Sequence, residues 1–203
     1  MRLSLSLPTL LLATAISAPA TAAAQLHQPR FTPDPTAGPF SNTVVRLSVG
    51  NGQAGPSGAP SNDRVSGLTL ALGAERTIAP HLVGIVEATH WEGNTVGSHA
   101  TFVTGSAALY PVDGVDAYLR AGFGYGTARV VAPDIVNTGN DYTVDGPAFQ
   151  YGAGYDYRLS PRVALGAFAV ASNTIGSNGR RYVHSGSGNV ALLSLGAAFT
   201  VRW

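Results

Sequence analysis

Two sets of side chains in this sequence have the types that bind metal ions. One consists of the histidines His90, His99 and His184, and the other of the aspartates Asp134, Asp141 and Asp145. A metal site needs several converging ligands whose orientation is fixed by neighbouring groups, and the aspartate spacing differs from that of a calcium-binding EF-hand loop. We therefore interpret both sets as exposed loop residues and predict neither a metal site nor a cofactor.

The composition excludes several other kinds of chemistry. The chain has no cysteine, which removes thiolate ligands and disulfides, and its scattered arginines form no basic stripe that would bind nucleic acid. Gly122, Gly124 and Gly126 lie in one alternating segment, whereas a nucleotide-binding fingerprint has a different spacing and opens a helix. Only 11% of the residues are charged, against a usual share of about 25%. The chain is therefore neither disordered nor an ordinary soluble domain.

The beginning of the chain has the layout of an export signal. A positively charged start, an apolar stretch up to Ile16 and the A-x-A pattern of Ala22–Ala24 follow one another. We predict a cleaved signal peptide over residues 1–24, an irregular proline-rich lead-in over residues 25–41, and one folded domain over residues 42–203.

From residue 42 onward, apolar residues alternate with small or polar ones. In the last run, Leu193, Leu195 and Phe199 share one face, while Ser194 and Gly196 share the other. Successive side chains of a strand point to opposite faces, so each alternating run predicts a strand. The eight predicted strands are Thr43–Gly50, Gly67–Ala74, Leu82–Trp91, Ala100–Tyr110, Tyr118–Ala128, Phe149–Tyr157, Val163–Ser172 and Leu193–Trp203.

The polarity of the two faces indicates a membrane protein. Aromatic residues lie on the apolar face and small residues on the other, as in a barrel whose apolar side faces lipid. Strands of about 9–11 residues span a membrane, and closure leaves no unpaired edge in lipid. We predict an all-β fold, an eight-stranded antiparallel up-and-down transmembrane β-barrel with four long external loops and three short periplasmic turns. The predicted loops are Asn51–Asn62, Glu92–Ser98, Ala132–Thr143 and Asn173–Gly188.

Three stretches carry motifs of a known type. They are Ala117–Gly126, Tyr151–Pro161 and the terminal pattern Ser194, Gly196, Phe199, Val201 and Trp203. On these stretches the chain resembles the small outer-membrane β-barrel proteins of Gram-negative bacteria, of the OmpX, opacity-protein and OmpA-barrel type. The first stretch is similar to their P-Y-x-x-A-G-x-G-Y strand, with Ala117 in place of the proline.

This resemblance implies a location in the cell outer membrane. It implies surroundings of outer-membrane lipid and lipopolysaccharide, and insertion by the outer-membrane assembly machinery, which reads the last strand. We expect a non-enzymatic protein with a structural or surface-interaction role, whose external loops carry any specificity for an extracellular partner.

An enzymatic alternative comes from a second, partial resemblance to outer-membrane lipid A deacylases. Ser172–Asn173 matches part of their motif, but Val170 stands where the histidine belongs, and no acidic residue follows Asp156. His184–Ser185 is another partial match. A serine nucleophile without its base is inactive, so we predict no catalytic residues, although a lipid A-modifying esterase remains an alternative.

The interior of an eight-stranded barrel is just filled by side chains. The residues predicted to lie in the lumen are Glu87, Arg120, Gln150, Asp156 and Arg202. Folding the hairpin between the fifth and sixth strands predicts that Arg120 faces Asp156 near the periplasmic end. Such crowding argues against a wide porin, and a narrow solute channel remains the second alternative.

Overall fold

The computed structural model describes residues 43–57, 64–112, 115–131, 141–174 and 189–202. The described residues contain eight strands: β1 (Thr43–Pro56), β2 (Val65–Ala79), β3 (Leu82–Gly93), β4 (His99–Leu109), β5 (Ala117–Val131), β6 (Asp141–Ser160), β7 (Val163–Thr174) and β8 (Val190–Arg202). The predicted signal peptide, the lead-in, Asp134, His184, Ser185 and Trp203 lie outside the described residues. No helix in the described part of the chain is long and apolar enough to cross a membrane.

The eight strands form one closed antiparallel barrel in sequence order. Each strand pairs with the next along the chain, and β1 closes the barrel by pairing with β8, where Leu47 lies opposite Phe199. The predicted eight-stranded up-and-down barrel is therefore confirmed. We call the end with connections 80–81, 110–116 and 161–162 the turn end, and the opposite end the loop end.

Two strands, β1 and β6, extend well beyond their predicted bounds toward the loop end. β1 continues to Pro56 and β6 begins at Asp141, so parts of the predicted loops 51–62 and 132–143 are strand instead. Neighbouring strands supply backbone partners there, since Gln53 pairs with Leu193 and Tyr142 with Val130. Alternation of hydrophobicity fades in these extensions because their outward residues are polar, and the sequence therefore predicted loops.

The outer surface of the barrel carries the large apolar side chains. Phe123 is 73% exposed, and Leu72, Val86 and Leu119 are also exposed. The glycines and polar residues that alternate with them point inward. This inside-out arrangement is the one predicted from the sequence, and it suits a barrel surrounded by lipid.

Candidate functional site

The loop-end half of the interior is an apolar core. Its largest members are the buried side chains of Val65, Trp91, Phe102, Val130 and Leu192. The indole Nε1 of Trp91 donates a hydrogen bond to the carbonyl of Gly52 across the lumen at 3.2 Å. Large side chains therefore fill the interior at this end, without an unsatisfied indole N–H.

A first polar cluster, centred on Arg120, lies on the turn-end side of this core. Its Nη2 donates to Glu87 Oε1 and to Gln150 Oε1, each at 2.5 Å, and its Nη1 donates to Glu87 Oε2 at 3.2 Å. Gln150 also accepts from Thr104 at 3.3 Å and donates to Ser172 at 3.3 Å. This Arg120 cluster links β3, β4, β5, β6 and β7 across the lumen.

A second polar cluster lies nearer the turn end and is centred on Arg46. Its Nε donates to Glu75, and its Nη2 donates to both carboxylate oxygens of Asp156 at 2.9 and 3.0 Å. Nη1 donates to the hydroxyl of Tyr118 at 3.3 Å, and the Tyr110 hydroxyl donates to Asp156 at 3.4 Å. All five residues are buried, so one guanidinium serves as the shared partner of two carboxylates inside this Arg46 cluster.

The predicted pair of Arg120 with Asp156 is wrong. The β5–β6 register places Arg120 opposite Gly152, rather than opposite residues 155–157 as the hairpin estimate gave. Arg120 instead meets Glu87, and Asp156 meets Arg46 on a strand far from β6 along the chain. In a narrow barrel, long side chains reach across the lumen, so neighbouring strands do not decide which charges pair.

Four of the five predicted lumen residues, Glu87, Arg120, Gln150 and Asp156, are buried inside the barrel. Arg202 is half-buried and lines a cavity of about 150 Å³ at the turn-end mouth. Sequence reasoning missed Arg46 and Glu75, the other charged members of the Arg46 cluster. The signal was present, because each lies on the small or polar face of its strand, Arg46 with Ser48 and Glu75 with Gly73.

The candidate nucleophile is enclosed in the lumen. Ser172 is 2% exposed, and its hydroxyl accepts the hydrogen bond from Gln150. Asn173 follows it on the opposite face of β7, so the two side chains diverge. The Ser172 hydroxyl therefore faces the lumen and does not reach the outer surface of the barrel.

Two histidines of the candidate metal set, His90 and His99, lie on the outer face near the loop end. His90 Nδ1 shares a hydrogen bond of 2.9 Å with Thr101, and its Nε2 is 3.4 Å from Glu92. His99 begins β4 with an exposed side chain. Within the described ranges, no group of three or more acidic or histidine side chains could hold a metal ion.

Comparison with solved structures shows which proteins this barrel is similar to. The chain is similar to Neisserial surface protein A, with 18% sequence identity, coverage of 80% of this chain and 98% of that chain, and a TM-score of 0.60. The chain has the fold of a small outer-membrane barrel. No protein-family model and no curated protein matches the sequence.

Two further structures give lower scores. The N-terminal β-barrel domain of Pseudomonas aeruginosa OprF has 14% identity, coverage of 79% and 98% of the two chains, and a TM-score of 0.43. Ail, the attachment invasion locus protein of Yersinia pestis, has 14% identity, coverage of 78% and 97%, and a TM-score of 0.46. The fold assignment therefore rests on the barrel itself and on the Neisserial protein.

Pairing inside the Arg120 cluster can be measured by a double-mutant cycle. We expect Arg120→Ala and Glu87→Ala to show a coupling energy of roughly 1–3 kcal/mol, because the ion pair is buried and each change leaves the other charge uncompensated. The coupling of Arg120→Ala with Asp156→Ala should be smaller. Urea unfolding of the folded barrel in lipid gives both values, and equal couplings would contradict the assigned pairs.

Proposed function

We propose that this chain is an outer-membrane barrel with a structural or surface-interaction role, rather than a pore or an enzyme. The observation that carries the proposal is the filled lumen. A cavity between the Arg46 and Arg120 clusters has a volume of about 10 Å³, roughly what a single water needs. The apolar core lies on the loop-end side of this cavity, so side chains of the described residues fill the lumen.

The filled lumen argues against the alternative of a narrow solute channel. A conducting path would have to displace Trp91 and Phe102 from the core and also open both arginine clusters. Purified barrel in a planar bilayer should therefore give no stepwise conductance above that of the lipid alone. Reproducible unitary currents that persist when the loops are trimmed would contradict the sealed barrel and favour the channel.

The loop end supports a surface role because the barrel wall continues beyond its apolar belt there. The outward residues of β5 and β6 change to Thr127, Arg129, Thr143 and Asp145 above the apolar Phe123. Polar outward side chains belong in water or among headgroups rather than in the hydrocarbon layer. The loop end would thus stand on the cell surface, with any specificity for an extracellular partner in its loops.

Orientation can be tested directly because the natural chain has no cysteine. Val96, between β3 and β4 at the loop end, is 95% exposed, and Val112, in the turn-end connection, is 56% exposed. On intact cells a membrane-impermeant maleimide should label Val96→Cys and leave Val112→Cys unlabelled until the outer membrane is permeabilised. The reverse pattern would overturn the proposed orientation, and labelling of neither after permeabilisation would contradict export.

The partners that the proposal includes are outer-membrane lipid, lipopolysaccharide and the assembly machinery. The motif residues of the last strand divide between its two faces. Ser194 and Gly196 point into the lumen, whereas Phe199 and Val201 lie on the outer face. A machinery that recognises this strand before closure would find its backbone edge unpaired, since β8 completes the barrel only by pairing with β1.

The esterase alternative loses support from the position of Ser172. A lipid substrate reaches the outer wall of a barrel, whereas the Ser172 hydroxyl lies inside and is engaged by Gln150. The described part of the barrel brings no histidine to this serine. This supports the proposal that the chain is not an enzyme.

A further inference from the structure

The lipid-facing wall of the barrel contains a groove that crosses β2 to β5 near the turn end. Small residues form its floor: Gly84 on β3 pairs with Ala107 on β4, which pairs with Ala121 on β5. The groove has a volume of about 700 Å³, and Val86 and Phe123 stand along its loop-end side. Neighbouring strands lie about 4.8 Å apart. The floor crosses three adjacent strands, on a wall whose other outward side chains are mostly large.

On the opposite side the groove is lined by Ile78, whose side chain covers the β3 part of the floor, since a Cβ on Gly84 would stand 2.7 Å from Ile78 Cδ1. Leu82, Leu109 and Leu119 form the next outward row toward the turn end, paired across the same three strands. Gly105, on the loop-end side, has open space where a Cβ would stand, with the nearest backbone atom 4.0 Å away. The groove therefore lies between the row of Leu82, Leu109 and Leu119 on one side and the side chains of Val86 and Phe123 on the other, with a gap at Gly105 between the last two.

A single cation stands at the β2 end of this floor. Arg76 is the cross-strand partner of Gly84, is exposed, and lines the groove. No ion pair joins it to a carboxylate of the described residues. An arginine on the lipid face is unfavourable at mid-bilayer and tolerated near the headgroups, where a phosphate can accept two of its N–H bonds.

We propose that this groove holds one phospholipid, with an acyl chain along Ala107 and Ala121 and against Ile78, and with its phosphate on Arg76. The proposal rests on the proposed function, because the groove must face lipid and Arg76 must lie at the periplasmic leaflet. It goes beyond general contact with lipid, since it assigns one retained molecule to one face of the barrel.

Charge favours a phospholipid over a second copy of the barrel as the occupant. Among the side chains that the structure describes, the outward carboxylates are Glu92 and Asp145, and both lie at the loop end. In a second barrel with the same orientation in the membrane, no described carboxylate would therefore lie at the same membrane depth as Arg76. A phospholipid offers both the anion and the flexible apolar chain.

Native mass spectrometry of the folded mature chain in detergent tests the proposal. The probes are phosphatidylglycerol and a diacylglycerol with the same acyl chains, which lacks the phosphate. We expect the wild-type barrel to retain one phosphatidylglycerol in preference to diacylglycerol. Arg76→Gln should weaken retention of phosphatidylglycerol about tenfold and leave that of diacylglycerol unchanged. Gly105→Leu, which fills the groove, should lose both lipids.

Two matched variants serve as controls. Ala169→Leu adds the same kind of bulk on the outer face of β7, and Arg162→Gln removes an exposed turn-end charge; both lie away from the groove. Both should retain lipid like the wild type. Equal loss with Gly105→Leu and Ala169→Leu, equal weakening with Arg76→Gln and Arg162→Gln, or no lipid retained by the wild type would each overturn the proposal.

The folded state of every variant is checked by its heat-dependent mobility on a gel. A wild-type chain that folds without detergent would contradict the proposed function and the lipid site together. A wild-type barrel that folds in detergent and releases all lipid would contradict the lipid site alone.

Discussion

Replacing Arg46 by alanine is expected to lower the free energy of unfolding of the barrel by about 3–5 kcal/mol. The guanidinium binds Glu75 and both oxygens of Asp156 in the interior, so its removal leaves two buried carboxylates without this counter-charge. The loss is measured by urea unfolding in lipid, followed by the fluorescence of the buried Trp91. Arg162→Ala, on an exposed turn-end residue, should change the same quantity by no more than about 0.5 kcal/mol.

A second variant separates lost charge pairing from lost packing. Replacing a buried ion pair by uncharged side chains of similar volume is often close to neutral, whereas breaking it is costly. Arg46→Met combined with Glu75→Gln should therefore recover part of the stability lost by Arg46→Met alone. Recovery stays partial because Asp156 keeps its charge in the interior after the guanidinium is removed. If Arg46→Ala unfolds like the wild type, the cluster does not stabilise the barrel.

The faces of the strands could be predicted from sequence, because a period of two fixes which residues share a face once a strand is assumed. That is why Glu87, Arg120, Gln150 and Asp156 were all expected in the lumen, where they are buried. Strand ends were less predictable. The outward residues of the β5–β6 extension are polar, and polarity outside the lipid layer resembles that of a loop.

Pairing of the interior charges could not be predicted from neighbouring strands. The partner of Arg46 on the adjacent β2 could have been inferred, because Glu75 lies opposite Val44 and thus diagonal to Arg46. Asp156 meets Arg46 only after β8 has closed on β1 and brought β6 across the lumen. Its assignment needs the register of every intervening pair, and a shift in one hairpin was enough to give Arg120 the wrong partner.

The terminal pattern of the chain contains one residue whose identity the closed barrel explains. Gly196 on β8 lies opposite Gly50 on β1, at the seam where the barrel closes. A Cβ on Gly196 would stand 2.1 Å from the carbonyl oxygen of Val49, and a Cβ on Gly50 would stand 2.3 Å from that of Leu195. Because both obstacles are backbone, a rotamer change cannot relieve them.

Gly196→Leu is therefore expected to abolish formation of the folded, heat-modifiable barrel, the largest effect of any single substitution considered. Gly105→Leu makes the same chemical change on the outer face, where a Cβ meets no atom closer than 4.0 Å, and it should fold like the wild type. Gly50→Leu should reproduce the Gly196→Leu defect from the other side of the seam. The fraction of folded protein after dilution from urea into detergent measures all three.

The same variants distinguish closure of the barrel from recognition of the last strand. Refolding into detergent needs no assembly machinery, so a closure defect appears both there and in the outer membrane of cells. A defect in recognition alone would leave Gly196→Leu able to refold in detergent while it failed to reach the membrane. Since the obstruction at Gly196 is the backbone of β1 itself, we expect failure in both settings, and normal refolding in detergent would contradict the steric explanation.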